Sequence, residues 1–343
     1  MECLENPWRG KGLSAGVLAG APVPSTDVEA VTGLLRRCPA AGETPLVQLT
    51  GFAPEVWVKD ERGRMGLGSF KALGAAYVIA HAAAETGAGD MSKALTGQVY
   101  VTASAGNHGL SVAAGARIFG ARAVIYLSET VPEGFAERLR AKGAEVVREG
   151  PEYEASMAAA ARAADANGWT LLSDSSWPAY FEIPHRLMEG YLALAEEAAR
   201  QMPAPPTHIF LQAGVGGLAG ACAAWFRHVW GDAPQIVVVE PDRAPGLLES
   251  IRAGRPVEAT GPVSNMGRLD CKVPSLIALA GLARDADLFV TITDQEADAI
   301  LPALAAQGAA STQSGAAGLA AMTAMDLPER ARVLCVLSEE AEA

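Results

Sequence analysis

The sequence predicts an α/β protein of two lobes, each a mainly parallel sheet flanked by helices. Three observations carry this. Short Val- and Ile-rich runs alternate with Ala-rich stretches of helical length from about residue 56 onward. Two of the intervening turns, at 104–109 and 214–220, are built almost wholly of glycine and other small residues. A chain of 343 residues, 50% of them hydrophobic, has material for two cores of ordinary size.

Residues 56–59 form the first strand of the pattern and lead through a Gly-rich loop into an Ala-rich helix that carries Lys71 near its start. Strands at 98–102, 123–127, 145–147 and 169–172 then alternate with helices at 110–119, 135–142 and 157–167. Strands that follow one another through helices need crossover connections, which makes their sheet parallel. A second series opens with one long helix over 183–202, stopped by Pro203, Pro205 and Pro206, which cannot continue helical hydrogen bonding. Strand 208–212, a glycine loop, helix 219–226, strand 236–240 and a final apolar strand at 333–337 complete it. No repeat of 20–50 residues interrupts the pattern.

Charge and composition exclude several classes. With 27 Lys and Arg against 39 Asp and Glu, the formal charge of −12 repels polyanions, so no nucleic acid is expected as a partner. Residues 1–6 lack the basic and apolar regions of a signal peptide, and no uncharged apolar run approaches the ~18–20 residues a membrane span needs. The five cysteines, Cys3, Cys38, Cys222, Cys271 and Cys335, form no C-x-x-C pair and read as reduced thiols of a cytoplasmic protein. His81, His185, His208 and His228 have no partner at ligand spacing, so no metal site is predicted.

Four constellations can carry chemistry. Gly68, Ser69, Phe70 and Lys71 place an amine at a helix start, where the dipole disfavours a cation and favours the neutral form that Schiff-base chemistry needs; an isolated lysine reads as a surface residue. Ser104, Ala105, Gly106, Asn107, His108 and Gly109 form a small-residue turn that suits a carboxylate, or a tight turn with Ser104 as helix cap. Gly214, Val215, Gly216, Gly217 and Leu218 follow a strand and open a helix, an anion nest for a phosphate. Gly214, Gly216 and Ala219 also fit G-x-G-x-x-A, with Glu240 closing the next strand where a ribose-binding acid would lie, so a nicotinamide cofactor stays open here. Ser338 ends the last strand, where ligands of open α/β sheets bind. Asp174 follows another strand and reads either as a helix cap or as an acid facing the cleft.

Together these segments resemble the fold-type II pyridoxal-phosphate enzymes, the group of threonine and serine dehydratases, cysteine synthases and the tryptophan synthase β chain. Thr44, Pro45 and Leu46, the Lys71 segment, the 104–109 loop, the 214–217 loop and Ser338 occur in the family's order. Within the group the chain is most similar to diaminopropionate ammonia-lyases, through Ser173 to Trp177 around Asp174, Ile183 and Pro184, Met188 to Tyr191, Met266 to Cys271, and Ser314 to Leu319. It departs from their pattern at Ala105, where an Asp is usual, at Gln313, where an acid is common, and at Glu339 and Ala341, which replace Thr and Gly. Loss of the acid at 105 removes a candidate base opposite the lysine and counts against a D-amino-acid substrate.

The resemblance implies pyridoxal 5′-phosphate held by Lys71 as a Schiff base, with Phe70 beside it. Gly214, Val215, Gly216, Gly217 and Leu218 would hold its phosphate, Asn107 its ring hydroxyl and Ser338 its ring nitrogen. Ser104, Ala105, Gly106, Asn107 and His108 would grip the substrate carboxylate. Lys71 would take the α-proton, and Asp174 or the cofactor phosphate would protonate the leaving group. A neutral hydroxyl at the ring nitrogen weakens the electron sink and favours prompt expulsion of a β-substituent. The expected activity is thus ammonia-lyase elimination on a small amino acid such as 2,3-diaminopropionate, serine or threonine, giving a 2-oxo acid. β-Replacement, as in cysteine synthases, is the alternative on the same scaffold, then a catalytically silent amino-acid sensor, with an NAD-dependent oxidoreductase as a reading outside it. The expected domains are 1–80 with 185–343, holding the cofactor, and 81–184, bearing the substrate loop, in a homodimer.

Overall fold

The computed structural model describes residues 1–38 and 40–341. The chain opens with strand β1 (Cys3–Glu5), helix α1 (Val28–Leu35) and an antiparallel pair, β2 (Leu46–Leu49) and β3 (Glu55–Asp60). Helix α2 (Lys71–Glu85) leads into a strictly alternating run: β4 (Val99–Ala103), α3 (Asn107–Ile118), β5 (Arg122–Leu127), α4 (Glu133–Ala141), β6 (Glu145–Arg148), α5 (Tyr153–Asn167) and β7 (Thr170–Leu171). Its four strands form one wholly parallel sheet in the order β6-β5-β4-β7, as helical crossovers demand.

The rest of the chain builds the larger sheet. Helices α6 (Glu182–Gly190) and α7 (Leu192–Gln201) precede β8 (His208–Gln212), α8 (Gly217–Trp230), β9 (Gln235–Pro241), α9 (Gly246–Ala253) and α10 (Leu276–Asp285). Then come β10 (Leu288–Ile292), α11 (Asp294–Ala305), α12 (Gln313–Ala324) and β11 (Arg332–Leu337). The seven strands lie in the order β1-β10-β9-β8-β11-β3-β2, parallel except for the two edge strands. The inner strands are apolar along nearly their whole length because helices cover both faces. Insertion of the last strand between β8 and β3 brings Ser338 to the middle of the sheet's C-terminal edge.

Two expected sheets are therefore present, but the larger contains three strands that were not expected, β1, β2 and β10, and the helices differ too. The single helix expected over 183–202 breaks at Tyr191 into α6 and α7. Gly190 marks the break: a Cβ there would lie 2.4 Å from the Leu73 carbonyl oxygen, so α6 seats directly on the backbone of α2. Helix α3 starts at Asn107 rather than at 110, and Lys71 is the first residue of α2.

A buried ionic cluster anchors β3. Lys59 Nζ donates to Glu197 and to the Thr44 carbonyl, both at 2.6 Å, and to Gln201 at 3.0 Å. Arg64 pairs with both oxygens of Glu61 at 2.7 Å and with Glu197 at 2.6 and 3.0 Å. Two cations and two carboxylates balance, and the strand leading to Lys71 is fixed to α7. Among the described residues no helix is long and apolar enough to cross a membrane, and no cluster of three His, Cys, Asp or Glu could hold a metal. All five cysteines are free thiols.

Candidate active site

Lys71 sits where the two sheets face one another. The segment before it lies against the residues after β11: Phe70 N–H donates to the Ser338 carbonyl at 3.0 Å, Ser69 bridges Glu339, and Glu340 N–H donates to the Gly68 carbonyl at 2.9 Å. Its Nζ reaches Asp174 Oδ2, just past β7 of the other sheet, at 2.5 Å. The amine lies 5.3 Å from the Phe70 ring centre and 6.0 Å from that of Tyr191, and the two rings are 4.9 Å apart. The helix start was expected to favour a neutral amine. The structure reverses this. Burial, the largest single influence, does lower the Lys71 pKa, but Asp174, Tyr191 and Cys271 together hold it above its ordinary value. Burial likewise raises Asp174, yet Lys71 and His108 outweigh it and keep the carboxyl well below its usual range.

The 104–109 loop joins β4 to α3. Ser104 Oγ accepts from Gly106 N–H at 3.2 Å and Gly109 N–H at 3.1 Å, so the hydroxyl holds the turn closed. A Cβ at Gly109 would come within 2.8 Å of the Ser104 carbonyl oxygen, which only glycine avoids. Ala105 is partly buried, and Gly106 faces the Arg268 side chain, 3.4 Å from where its Cβ would be. Asn107 Nδ2 donates to the Glu339 carboxylate. His108 is buried with Nε2 2.9 Å from the Leu172 carbonyl, and burial depresses its pKa. In its neutral form it donates from Nε2.

Across the cleft, the 214–218 loop opens α8. Gly216 has φ +96° and caps the helix; its Cβ would lie 2.9 Å from Ala278 Cβ and 3.0 Å from a Leu247 methyl. At Gly214 a Cβ would lie 3.1 Å from both the Arg268 carbonyl oxygen and Cys271 Sγ. No side chain caps α8, so its leading N–H groups remain available to an anion at the positive end of the helix. Val215 takes Ser275 N–H on its carbonyl at 3.0 Å, Gly217 packs near Tyr191, and Leu218 is buried. Ser338 is buried at the end of β11 and donates its N–H to Gly315 at 3.2 Å. An amine, an unblocked anion cradle, an amide and a hydroxyl are the donor set pyridoxal phosphate requires, and the cradle backbone is packed so closely against Arg268, Cys271, Ala278 and Leu247 that only glycine fits at 214 and 216. The residues fit the group.

The nicotinamide reading does not survive. Both oxygens of Glu240 accept backbone N–H groups of Leu247 and Leu248 at 2.8 Å, capping α9, and the carboxyl is buried and raised by that burial to about 8. Buried and turned to the start of α9, it does not face the cleft where a ribose would lie.

Residues outside the expected set also enter the site. Tyr191 lies beside Lys71, its phenol pushed up to about 12, chiefly by burial. Cys271 flanks the glycine loop, its thiol also raised to about 12 by burial. Arg268 and Glu339 approach Asn107 and Gly106. Tyr191, Arg268 and Cys271 lie in the 188–191 and 266–271 segments that carry the resemblance, and Glu339 is the acid directly after Ser338; these were the signals available.

Comparison with known proteins decides the kinship. A family model described as "Pyridoxal-phosphate dependent enzyme" matches residues 38–339. The chain belongs to that family. It is 32% identical over 285 residues to diaminopropionate ammonia-lyase of Salmonella typhimurium, covering 76% of this chain and 70% of that protein. The Escherichia coli K12 enzyme of the same name is 33% identical over 275 residues, covering 74% and 69%. The crystal structure of the holo Escherichia coli diaminopropionate ammonia lyase superposes with a TM-score of 0.86 at 27% identity, covering 99% of this chain and 93% of that one. Further structures of that enzyme hold an aminoacrylate-PLP azomethine reaction intermediate and D-serine. The protein is a pyridoxal-phosphate-dependent lyase of the ammonia-lyase type with the fold-type II architecture, and pyridoxal phosphate is its cofactor.

Proposed function

We propose that this lyase performs α,β-elimination on a small β-substituted L-amino acid, 2,3-diaminopropionate, serine or threonine, releasing a 2-oxo acid and ammonia. The observation that carries the reading is the Lys71–Asp174 pair, which places a base and an acid in one pocket between the two sheets. Pyridoxal phosphate, when bound, supplies the electron sink that stabilises negative charge at the substrate α-carbon. Lys71 holds it, the N–H groups of Gly214 to Leu218 hold its phosphate, Asn107 its ring hydroxyl and Ser338 its ring nitrogen, with Phe70 alongside. The loop from Ser104 to His108 receives the substrate carboxylate at the start of α3.

Lys71 Nζ takes the α-proton. The charged lysine is the main influence that keeps Asp174 ionised against its burial. When Nζ hands the proton it took to Oδ2, the largest influence opposing burial is removed, the carboxyl holds that proton more strongly, and Oδ2 passes it to the departing β-substituent. Ala105 supplies no second base on the loop, which supports the L isomer as substrate. The five free thiols and the family resemblance support a cytoplasmic homodimer. Residues 81–184, which contain the four-stranded sheet, are the smaller domain, and 1–80 with 185–343 the larger.

The test is a visible spectrum of the purified protein, borohydride trapping followed by peptide mapping, and a panel of L- and D-amino acids assayed for 2-oxo acid and ammonia. Label on Lys71 and 2-oxo acid from an L-amino acid are expected. Label elsewhere, or a thioether product formed in place of 2-oxo acid when a thiol is added, refutes the assignment.

A further inference from the structure

Glu339 is a carboxylate placed where nothing in the elimination chemistry calls for one. It follows Ser338 directly, its side chain is 7% exposed, and its backbone is fixed from two sides, by the bridge to Ser69 and by Ser311 Oγ donating to its carbonyl at 2.6 Å. Asn107 Nδ2 donates to Oε2, and Thr312 Oγ1 donates to Oε1. Thr312 is itself the cap of α12, accepting from Gly315 N–H at 2.9 Å, and the Gly315 carbonyl receives Ser338 N–H at 3.2 Å. One continuous chain of hydrogen bonds therefore runs from Asn107, at the head of α3, through Glu339 to the backbone of Ser338. These are the two residues assigned above to the ring hydroxyl and the ring nitrogen of the cofactor.

An asparagine amide can present either its oxygen or its nitrogen, and nothing in its own shape decides which. An ionised carboxylate can only accept. Glu339 therefore fixes the Asn107 amide with Nδ2 turned toward it, and one of the two amide protons is left for a second acceptor. Arg268 Nε lies 3.7 Å from Oε2 on the same side of the cleft.

We propose that Glu339 is a positioning residue that sets the amide of Asn107 for the cofactor's ring oxygen. The inference rests on the assignment of Asn107 made above, and it explains why an acid is tolerated beside Ser338. Glu339 contributes by orienting a donor, with no part in proton transfer.

The experiment is a double-mutant cycle on the holoenzyme, read by the dissociation constant for pyridoxal phosphate and by the pH midpoint of the visible band of the bound cofactor. Glu339→Ala is expected to weaken cofactor binding about tenfold, in line with loss of an oriented hydrogen bond to a charged group, and Asn107→Ala to a similar degree. If Glu339 acts through Asn107, removing both costs no more than removing one, and the midpoint moves by the same amount in all three variants. Glu339→Gln is expected to restore affinity to within about threefold, because its Oε1 still accepts from Asn107 while Thr312 Oγ1 can turn to accept from Nε2. Additive losses in the double variant, or a Glu339→Ala protein with the parent affinity and midpoint, overturn the proposal. A normal affinity in Asn107→Ala instead overturns the assignment of Asn107 and this inference with it. Equal far-UV circular dichroism across the set separates either outcome from misfolding.

Discussion

Replacement of Gly216 by alanine tests the phosphate cradle by its most constrained atom. The backbone there has φ +96°, and the added Cβ would lie 2.9 Å from Ala278 Cβ and 3.0 Å from a Leu247 methyl. Placing alanine in a left-handed conformation costs roughly 1–2 kcal/mol, and overfilling a packed site adds about 1–3 kcal/mol. At roughly 2 °C per kcal/mol for a chain of this size, Tm falls by about 4–10 °C. Relief of the overlap must come from the loop backbone, since Ala278 belongs to α10 and has no side chain to rotate away. The N–H groups of 214–218 then leave the positions in which they converge, and pyridoxal phosphate binds about tenfold more weakly or worse. Gly168→Ala is the control: Gly168 has φ +65° at the end of α5 with open space around its Cβ, so it carries the conformational penalty alone. Differential scanning fluorimetry and cofactor titration of both variants read the difference. If Gly216→Ala loses no more stability than Gly168→Ala and binds the cofactor like the parent, the assignment of this loop to the phosphate is wrong.

Four further outcomes are expected. Lys71→Ala should show no visible cofactor band at neutral pH and no borohydride label, with turnover below detection in the ammonia assay. Asp174→Asn should lower the Lys71 pKa, so that cofactor loading followed by stopped-flow absorbance becomes faster at neutral pH, while kcat for elimination falls by about a hundredfold through loss of the acid. Glu197→Gln should destabilise the protein by about 3–5 kcal/mol, because Lys59 and Arg64 are left buried with one carboxylate between them, and urea unfolding measures this. Burial raises the Glu197 pKa, but Arg64 and Lys59 hold it below its ordinary value. A depressed folded-state pKa contributes stability above about pH 4.3, the unfolded value, and this is lost as the pH falls through the folded value, so the parent Tm should drop on acidification below that point more steeply than the Tm of Glu197→Gln.

Much of this architecture is legible in the chain because its strands are short apolar runs separated by turns of extreme composition. The alternation over 98–172 could be read directly, and the glycine loops announced their position between strand and helix. Other elements left little trace. Strands β1 and β2 are short, antiparallel and half exposed, so they carry no continuous apolar run. Helix α12 is buried on all sides from Ser314 to Met322, and a helix wet on no face shows no amphipathic period. The break between α6 and α7 depends on how closely Gly190 approaches α2, which spacing along the chain does not encode.

The site divides in the same way. Lys71 and the two loops are local motifs. Its pairing with Asp174, 103 residues away, arises only when the two sheets face one another, and it overturned the reading of Lys71 as an amine left neutral by its helix. Tyr191, at the end of α6, meets Arg268 and Cys271, which share one loop before α10, only once the chain is folded, so their meeting is not written in any one stretch of sequence.

The contact between Lys71 and Asp174 also bears on how a ligand gets in. Its two ends belong to different sheets, so any widening of the mouth pulls unlike charges apart in a poorly solvated space, and the attraction between them acts as a tether. A visiting zwitterion carries its own ammonium and carboxylate. Its carboxylate end would meet Lys71 only before the cofactor is loaded, because attachment of the cofactor to that amine would remove one end of the tether and leave the cleft freer to open.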